Sequence, residues 1–236
     1  MIIFKSYNKT IFGEIIHLFG PVKSTQHEAR KILSVRKPPF LVIADEQTNG
    51  YGRRGGKWLS PPGGLYLTWV TKNVEQLGVT LVIALAIAKT VDRFTDGKVI
   101  IKWPNDVFIL DKKCAGVIAE LEGENLLIGV GINTGKSPEP EEFAALNLSA
   151  PERMYFFRVF LEMLAPLWPE FVQNGLKSIL DEYNEYALPK GSFITTHAGD
   201  EAVHGEIIEV TERGSLLIKT KTGTRELTAG KIINST

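Results

Sequence analysis

The segment Val79 to Phe94, VTLVIALAIAKTVDRF, constrains the fold more than any other stretch, because it reads as a helix that is apolar almost all round. An amphipathic helix can lie on a surface, whereas one without a polar face has to be buried, here against a sheet. The chain supplies strands for that sheet. Ile15 to Phe19, Phe40 to Ala44 (FLVIA), Leu65 to Val70 (LYLTWV), Val99 to Trp103, Cys114 to Leu121 and Leu126 to Val130 are short apolar runs bounded by turn residues. EGEN between the last two reads as a hairpin turn. Ser24 to Leu33 reads as a helix opened by Thr25, with Glu28 three residues on as its capping-box partner. From Glu152 to about Tyr186 the pattern is helical again, and Pro166 and Pro169, each lacking a backbone donor, are expected to split or kink it, giving two helices. After Pro189 the character changes. IIEV, SLLIKT and TRELTA, separated by ERGS and KTGT, read as short strands of a small all-β module, so the expected domains are 1–188 and 189–236.

At 236 residues and 44% hydrophobic content the chain can bury a full-sized core without staples. Its single cysteine, Cys114, excludes an internal disulfide framework and fits a reducing compartment, so the cytoplasm is the expected location. The N-terminal stretch lacks the features of a signal peptide, and no apolar run reaches membrane-spanning length. Lys plus Arg and Asp plus Glu are balanced at 27 each, which argues against a polyanion partner held by counterion release. The local exception is Arg53, Arg54 and Lys57, a cluster of a size to contact one small phosphate group.

Gly50-Tyr51-Gly52-Arg53-Arg54-Gly55 matches G-x-G-x-x-G literally, yet a dinucleotide site needs those glycines to follow a strand at once and to open a helix. Residues 46–48 intervene before them, and KWLSPPGG after them cannot be helical. A P-loop is excluded as well, because Trp58 stands where Ser or Thr should follow Gly-Lys. What remains is a glycine-rich loop carrying Arg53, Arg54 and Lys57 and bounded by Trp58, able to close over an anion through guanidinium forks and backbone donors. KWPND, Lys102 to Asp106, would place a cation, an aromatic face and a carboxylate together on a rigid turn, where a nucleotide phosphate and its metal could be held; it is equally an ordinary turn. In DKKCAGVIAEL, Lys113 precedes a strand that contains Gly116, and a strand glycine often marks close approach by a ligand. GVGIN ends a strand at Asn133. His17, His27, His197 and His204 have no metal-ligand spacing with Cys114 or with one another, and no serine-nucleophile elbow is present.

The order of these motifs, STQ at Ser24, QTNGYGRRGGKW at Gln47, GGLYLT at Gly63, KWPND at Lys102, KKCAGVIAE at Lys112 and GVGIN at Gly129, resembles the biotin protein ligase family from about Val22 to the C-terminal module. The resemblance implies an α+β fold: a mixed β-sheet packed with helices, the class II synthetase-like catalytic domain of biotin and lipoate ligases, plus a small C-terminal β-barrel. It implies two half-reactions in one site. The biotin carboxylate attacks the α-phosphate of Mg-ATP to give biotinyl-5′-AMP and pyrophosphate, and a lysine of a biotin carboxyl carrier protein then attacks the mixed anhydride. Carried over residue by residue, Ser24, Thr25, Gln26, Gln47, Gly50, Gly52, Arg53, Lys113 and Gly116 fall at positions around biotin or the acyl-phosphate. Arg53, Arg54, Lys57, Trp58, Lys102, Asn105 and Asn133 fall around the nucleotide, and Asp106 is the candidate Mg2+ ligand. Lys113, Arg53 and Asp106 are the candidate catalytic residues. Arg53 and Lys113 would neutralise charge developing on the phosphate, and Asp106 either takes or orients a proton of the acceptor lysine or serves only the metal.

The chain departs from the family pattern in its loop, where Tyr51 and Gly56 stand at the first and last of the usual arginines, and at Gln26, which replaces an asparagine. Arg54 and Lys57 are the residues that could compensate. A lipoate ligase of related fold and a non-catalytic biotin-binding protein are the rival readings, and the glycine loop, KWPND and the terminal module favour biotin. Too few residues precede Val22 for the DNA-binding domain that many relatives carry, so no DNA partner is expected, and an exposed sheet edge could pair two subunits.

Overall fold

A computed structural model describes residues 9–13, 15–74, 78–198, 201–230 and 232–235 of the chain. The elements run α1 (Lys9–Phe12), β1 (Ile16–Val22), α2 (Thr25–Leu33), β2 (Phe40–Gln47), β3 (Leu65–Lys72), α3 (Val79–Val91), β4 (Val99–Lys102), β5 (Asp106–Ile109), β6 (Lys112–Glu122), β7 (Asn125–Ile132), α4 (Ala150–Asn174), α5 (Leu180–Tyr186), β8 (Phe193–Ala198), β9 (Glu201–Val210), β10 (Leu216–Thr220), β11 (Gly223–Leu227) and β12 (Ile232–Ser235). The first seven strands form one sheet in the order β1-β2-β3-β7-β6-β5-β4, parallel between β1 and β2, which α2 connects, and antiparallel elsewhere. This is the mixed sheet expected from the sequence.

Side chains alternate across a strand, so the register decides which residues share a face. Ala44, Tyr66, Gly131, Gly116 and Asp106 are paired in succession across β2, β3, β7, β6 and β5; Val42, Thr68, Gly129 and Ile118 form the next row, and Phe40, Val70, Leu127 and Glu120 the one after. The opposite face carries the main core. There α3 lies with every residue from Leu81 to Ala88 buried, and α4 packs over it. Each large aliphatic side chain so buried stabilises the fold by about 1.5–3 kcal/mol, and this is why an all-round apolar helix is tolerated here. On the first face α2 covers only the Phe40, Val42, Val70 and Leu127 corner, through Ala29 with Ile32 and Leu33. The row containing Gly116 and Gly131 has no helix over it, and the start of α2 reaches the Gly129 row only through Thr25 and Gln26.

Several local expectations are corrected. The N-cap of α2 is Ser24, one residue earlier than Thr25; its Oγ accepts the His27 amide at 3.1 Å, while Glu28 pairs with Lys31 at 2.9 Å and closes no capping box. A capping box does open α4, between Ser149 and Glu152. β5 is an additional strand of four residues, too short to show a period of its own, and it makes KWPND the turn between two paired strands. α4 runs unbroken through Pro166 and Pro169, and the helical region breaks instead at Gly175, at φ 73°. Helix-interior proline costs about 3 kcal/mol or more. Burial of Leu164, Leu167, Trp168 and Phe171, with Trp168 set edge-on against Trp69 at 4.5 Å, offsets that cost. The C-terminal module is a five-stranded antiparallel sheet in the order β11-β10-β9-β8-β12; IIEV, SLLIKT and TRELTA correspond to β9, β10 and β11, and β8 and β12 are additional. Trp103 donates its indole N–H to Gly214 O at 2.8 Å, tying this module to the first sheet. Among the described residues, no helix is long and apolar enough to cross a membrane.

Candidate active site

The uncovered part of the sheet face floors a cavity of about 220 Å³. Three glycines make that floor. A Cβ on Gly131 would lie 2.4 Å from Trp58 Nε1, one on Gly116 would lie 3.2 Å from Trp58 and from Lys113, and one on Gly129 would lie 3.1 Å from Gln26. Gly116 and Gly131 are directly paired, so together they leave a flat strip of backbone on which the Trp58 ring lies. Any side chain at Gly131 would displace the ring.

One wall is the start of α2. Thr25 donates both its amide, at 2.8 Å, and its hydroxyl, at 3.2 Å, to Gln47 Oε1, and Thr68 donates to Thr25 Oγ1 at 2.9 Å. Gln47 Nε2 donates to Ser60 Oγ at 2.9 Å, and the Ser60 hydroxyl donates to Trp58 O. This chain of bonds fixes the amide of Gln47 and ties α2 to the exit of the glycine loop. Gly50 sits behind it, packed so closely on Ser60, Trp58 O and Gln47 that a Cβ would lie under 3 Å from all three.

The other wall carries the charges. Lys113 Nζ is 2.7 Å from Asp106 Oδ1, an ion-pair contact outside directed hydrogen-bond geometry, and it lies 5.1 Å from the Trp58 ring centroid. Asn105 locks the KWPND turn to β6 by donating Nδ2 to Val117 O at 2.8 Å. Its Oδ1 accepts from Arg53 Nη1 at 2.8 Å, and Arg53 Nη1 also reaches Gly230 O at 3.0 Å in the C-terminal module. Both bonds use one nitrogen of the guanidinium, leaving the other donor edge for a ligand. Burial lowers the pKa of Arg53; the Asp106 carboxylate opposes that fall and Arg54 adds to it. The group still stays charged, as an arginine does in proteins. Cys114, beside Lys113, is wholly buried, and burial pushes its thiol up to about 12, which removes it as a nucleophile at neutral pH.

Of the residues singled out in the sequence, Ser24, Thr25, Gln26, Gln47, Gly52, Arg53, Arg54, Lys57, Trp58, Asn105, Asp106, Lys113 and Gly116 line the cavity. Gly50, Lys102 and Asn133 do not. Lys102 lies over the Phe108 ring at 4.3 Å, and buried Asn133 donates Nδ2 to Ala144 O at 3.0 Å, fastening the segment that follows β7. Sequence reasoning missed Gly131, Ile118 and Gly230 as lining residues. A signal for Gly131 was present, since glycines two apart in GVGIN share one face of a strand. Gly230 had no such signal, because its backbone carbonyl meets Arg53 across 177 residues.

Residues 19–136 match the biotin/lipoate A/B protein ligase family. The chain is 30% identical over 236 residues to the bifunctional ligase/repressor BirA of Escherichia coli (strain K12), covering 89% of this chain and 72% of that protein. It is 26% identical over 236 residues to the biotin--[acetyl-CoA-carboxylase] ligase of Paracoccus denitrificans, covering 89% and 96%. Its fold is similar to that of the biotin protein ligase from Aquifex aeolicus, solved in complex with biotin and ATP, at a TM-score of 0.81 and 27% identity, covering 94% of this chain and 98% of that one.

Proposed function

The chain belongs to the biotin/lipoate A/B protein ligase family, and we propose that it activates biotin with ATP and transfers it to a lysine of a biotin carboxyl carrier protein. The observation that carries this reading is the meeting of the Arg53 guanidinium and the Lys113–Asp106 pair at the charged wall of a glycine-floored cavity. Residues 1–188 are the catalytic unit in this reading and 189–236 the small accessory module.

In the first half-reaction a biotin carboxylate oxygen attacks the α-phosphorus of ATP, the bond from that phosphorus to the bridging oxygen breaks, and pyrophosphate leaves with the electron pair. Negative charge builds on the α-phosphate oxygens. Arg53 and Lys113 answer it with fixed donors that need no reorganisation, and this kind of preorganised stabilisation is the largest single contribution in most such sites. Lys113 is held by Asp106 and by the face of Trp58, so its ammonium is placed before substrates arrive. In the second half-reaction the acceptor Nζ attacks the acyl carbon, AMP leaves, and an amide forms. The incoming lysine has an ordinary pKa of about 10.4 and must lose a proton; Asp106 is the carboxylate that lines the cavity near enough to receive or orient it. Glycine-loop closure keeps water from the anhydride.

Mg2+ would accompany ATP. No group of three metal-ligating side chains occurs among the described residues, and Mg2+ is commonly held by one or two carboxylates together with substrate phosphates. Asp106, the one carboxylate among the lining residues, would supply that ligand, as the alternative to its taking the proton of the acceptor lysine. When bound there, the ion would add to the neutralisation of phosphate charge.

ATP–pyrophosphate exchange measured with biotin, and in parallel with lipoate, tests the reading. Biotin-dependent exchange supports it. Exchange with lipoate alone would move the substrate to the related acid, and exchange with neither would reject a ligase.

A further inference from the structure

At the rim of the cavity, away from the reacting groups, one carboxylate oxygen gathers three donors. Glu120 Oε2 accepts from Gln26 Nε2 at 2.7 Å, from the Tyr51 hydroxyl at 3.0 Å and from Arg30 Nη2 at 3.2 Å. Arg30 in turn donates Nη1 to the Tyr51 oxygen at 3.1 Å and Nε to Glu122 at 2.9 Å. Gln26 and Arg30 belong to α2 and Glu120 and Glu122 to β6, while Tyr51 comes from the glycine loop. Two of the three positions where the chain departs from the family pattern, Tyr51 and Gln26, therefore meet on a single oxygen.

Glu120 is placed by the β6–β7 ladder, paired with Leu127, and held further by buried Gln26, so its acceptor position exists whatever the loop does. The loop's own backbone bonds, Trp58 N to Gly50 O at 3.0 Å and Gly52 N to Gly56 O at 2.7 Å, hold its two limbs to each other and not to the sheet. Gly52, Gly55 and Gly56 lie within it, and each glycine loses more backbone freedom on ordering than any other residue. Its side-chain ties are few: Arg53 to Asn105 and Gly230, and Tyr51 to Glu120 and Arg30. A phenol bonded to a carboxylate on one side and a guanidinium on the other makes charge-assisted bonds, roughly twice as strong as neutral ones. Burial raises the Tyr51 pKa, which keeps its proton available for donation. Arg30 is held above its ordinary pKa: burial works against its charge, and the bonds to Tyr51 and Glu122 with the nearby acidic charge override it.

We propose that Tyr51 is a positioning residue that latches the glycine loop to α2 and β6 through Glu120 and Arg30, so that the loop is closed before any ligand binds. The consequence for substrate affinity rests on the ligase reading; the latch does not.

The loop itself provides the probe: the Arg54 and Lys57 side chains are exposed already, but trypsin cuts after them, or after Arg53, only when the backbone around them opens locally. With the full chain free of ligand, Tyr51→Phe and Glu120→Gln should each be cut in the loop about ten-fold faster than wild type, the loss of a charge-assisted bond. The double variant should be no faster than either single one, and cleavage outside the loop should be unchanged. Pyrophosphate exchange should then show a KM for biotin raised about ten-fold in Tyr51→Phe, with kcat within about two-fold. Equal loop cleavage in wild type and Tyr51→Phe, additive effects in the double variant, or wild-type protection that appears only with biotin and ATP would each overturn the latch. A wild-type protein that is protected but shows no exchange would count against the ligase reading and leave the latch standing.

Discussion

The floor of the cavity and its cover are both rich in glycine, and they need it for different reasons. In the floor, Gly116, Gly129 and Gly131 sit on paired strands whose backbone ladder already fixes their conformation, and what matters is the missing Cβ, whose place Trp58 and Gln26 occupy. In the cover, a Cβ on Gly55 would meet nothing within 4 Å, yet Gly55 has φ +72°, a backbone state that side chains disfavour. Space decides the floor, and dihedral freedom decides Gly55 in the cover. It follows that floor substitutions should disturb both stability and chemistry, while cover substitutions should alter ligand handling and leave the global unfolding transition almost where it was.

The largest expected effect is that of Lys113→Ala, on the charged wall beside the floor, which should slow biotin-dependent pyrophosphate exchange by about 10²–10³-fold and leave the buried Asp106 unpaired. A normal exchange rate would remove Lys113 from the chemistry. In the cover, Arg53→Gly removes a charge-assisted contact of about 1.5–3 kcal/mol along with its bonds to Asn105 and Gly230; faster release of radiolabelled adenylate, with a thermal midpoint lowered less than in a floor variant, is the expected pattern. A midpoint lowered as far as in a floor variant would break the contrast. Gly131→Ala forces the Trp58 ring aside and should cost about 1–3 kcal/mol in denaturant unfolding, together with quenched or shifted tryptophan fluorescence. Gly55→Ala is the smallest change, a strain of about 1 kcal/mol confined to the loop; trypsin cleavage there should rise while the unfolding midpoint stays within error.

Much of the frame was legible. β2, β3 and β7 announced themselves because they are largely buried and mostly apolar, and Val79–Val91 because no surface could hold it. β5 was not, since four residues contain no pattern to read. The continuity of α4 through two prolines was hidden for another reason: the proline rule is local, and the burial of Trp168 against Trp69 that outweighs it lies about 100 residues away in sequence. At the site, Lys113, Arg53 and Asp106 sit in motifs that are weak one by one and were marked by the order of those motifs along the chain, and all three line the cavity. Lys102 and Asn133 were marked in the same way and lie outside the cavity lining, one over Phe108 and the other bonded to Ala144.

The sequence alone determined the chemistry this chain can bring together, because residue type sets charge, donors and backbone freedom before any folding occurs. Only the tertiary structure decided which of those groups meet. Strand register places Gly131 under Trp58 and Asp106 opposite Gly116, and the approach of α2 and β6 brings Gln26, Arg30 and Tyr51 to one oxygen of Glu120. Such contacts join residues up to 94 positions apart. No local propensity encodes them, since they are fixed by the packing of whole elements.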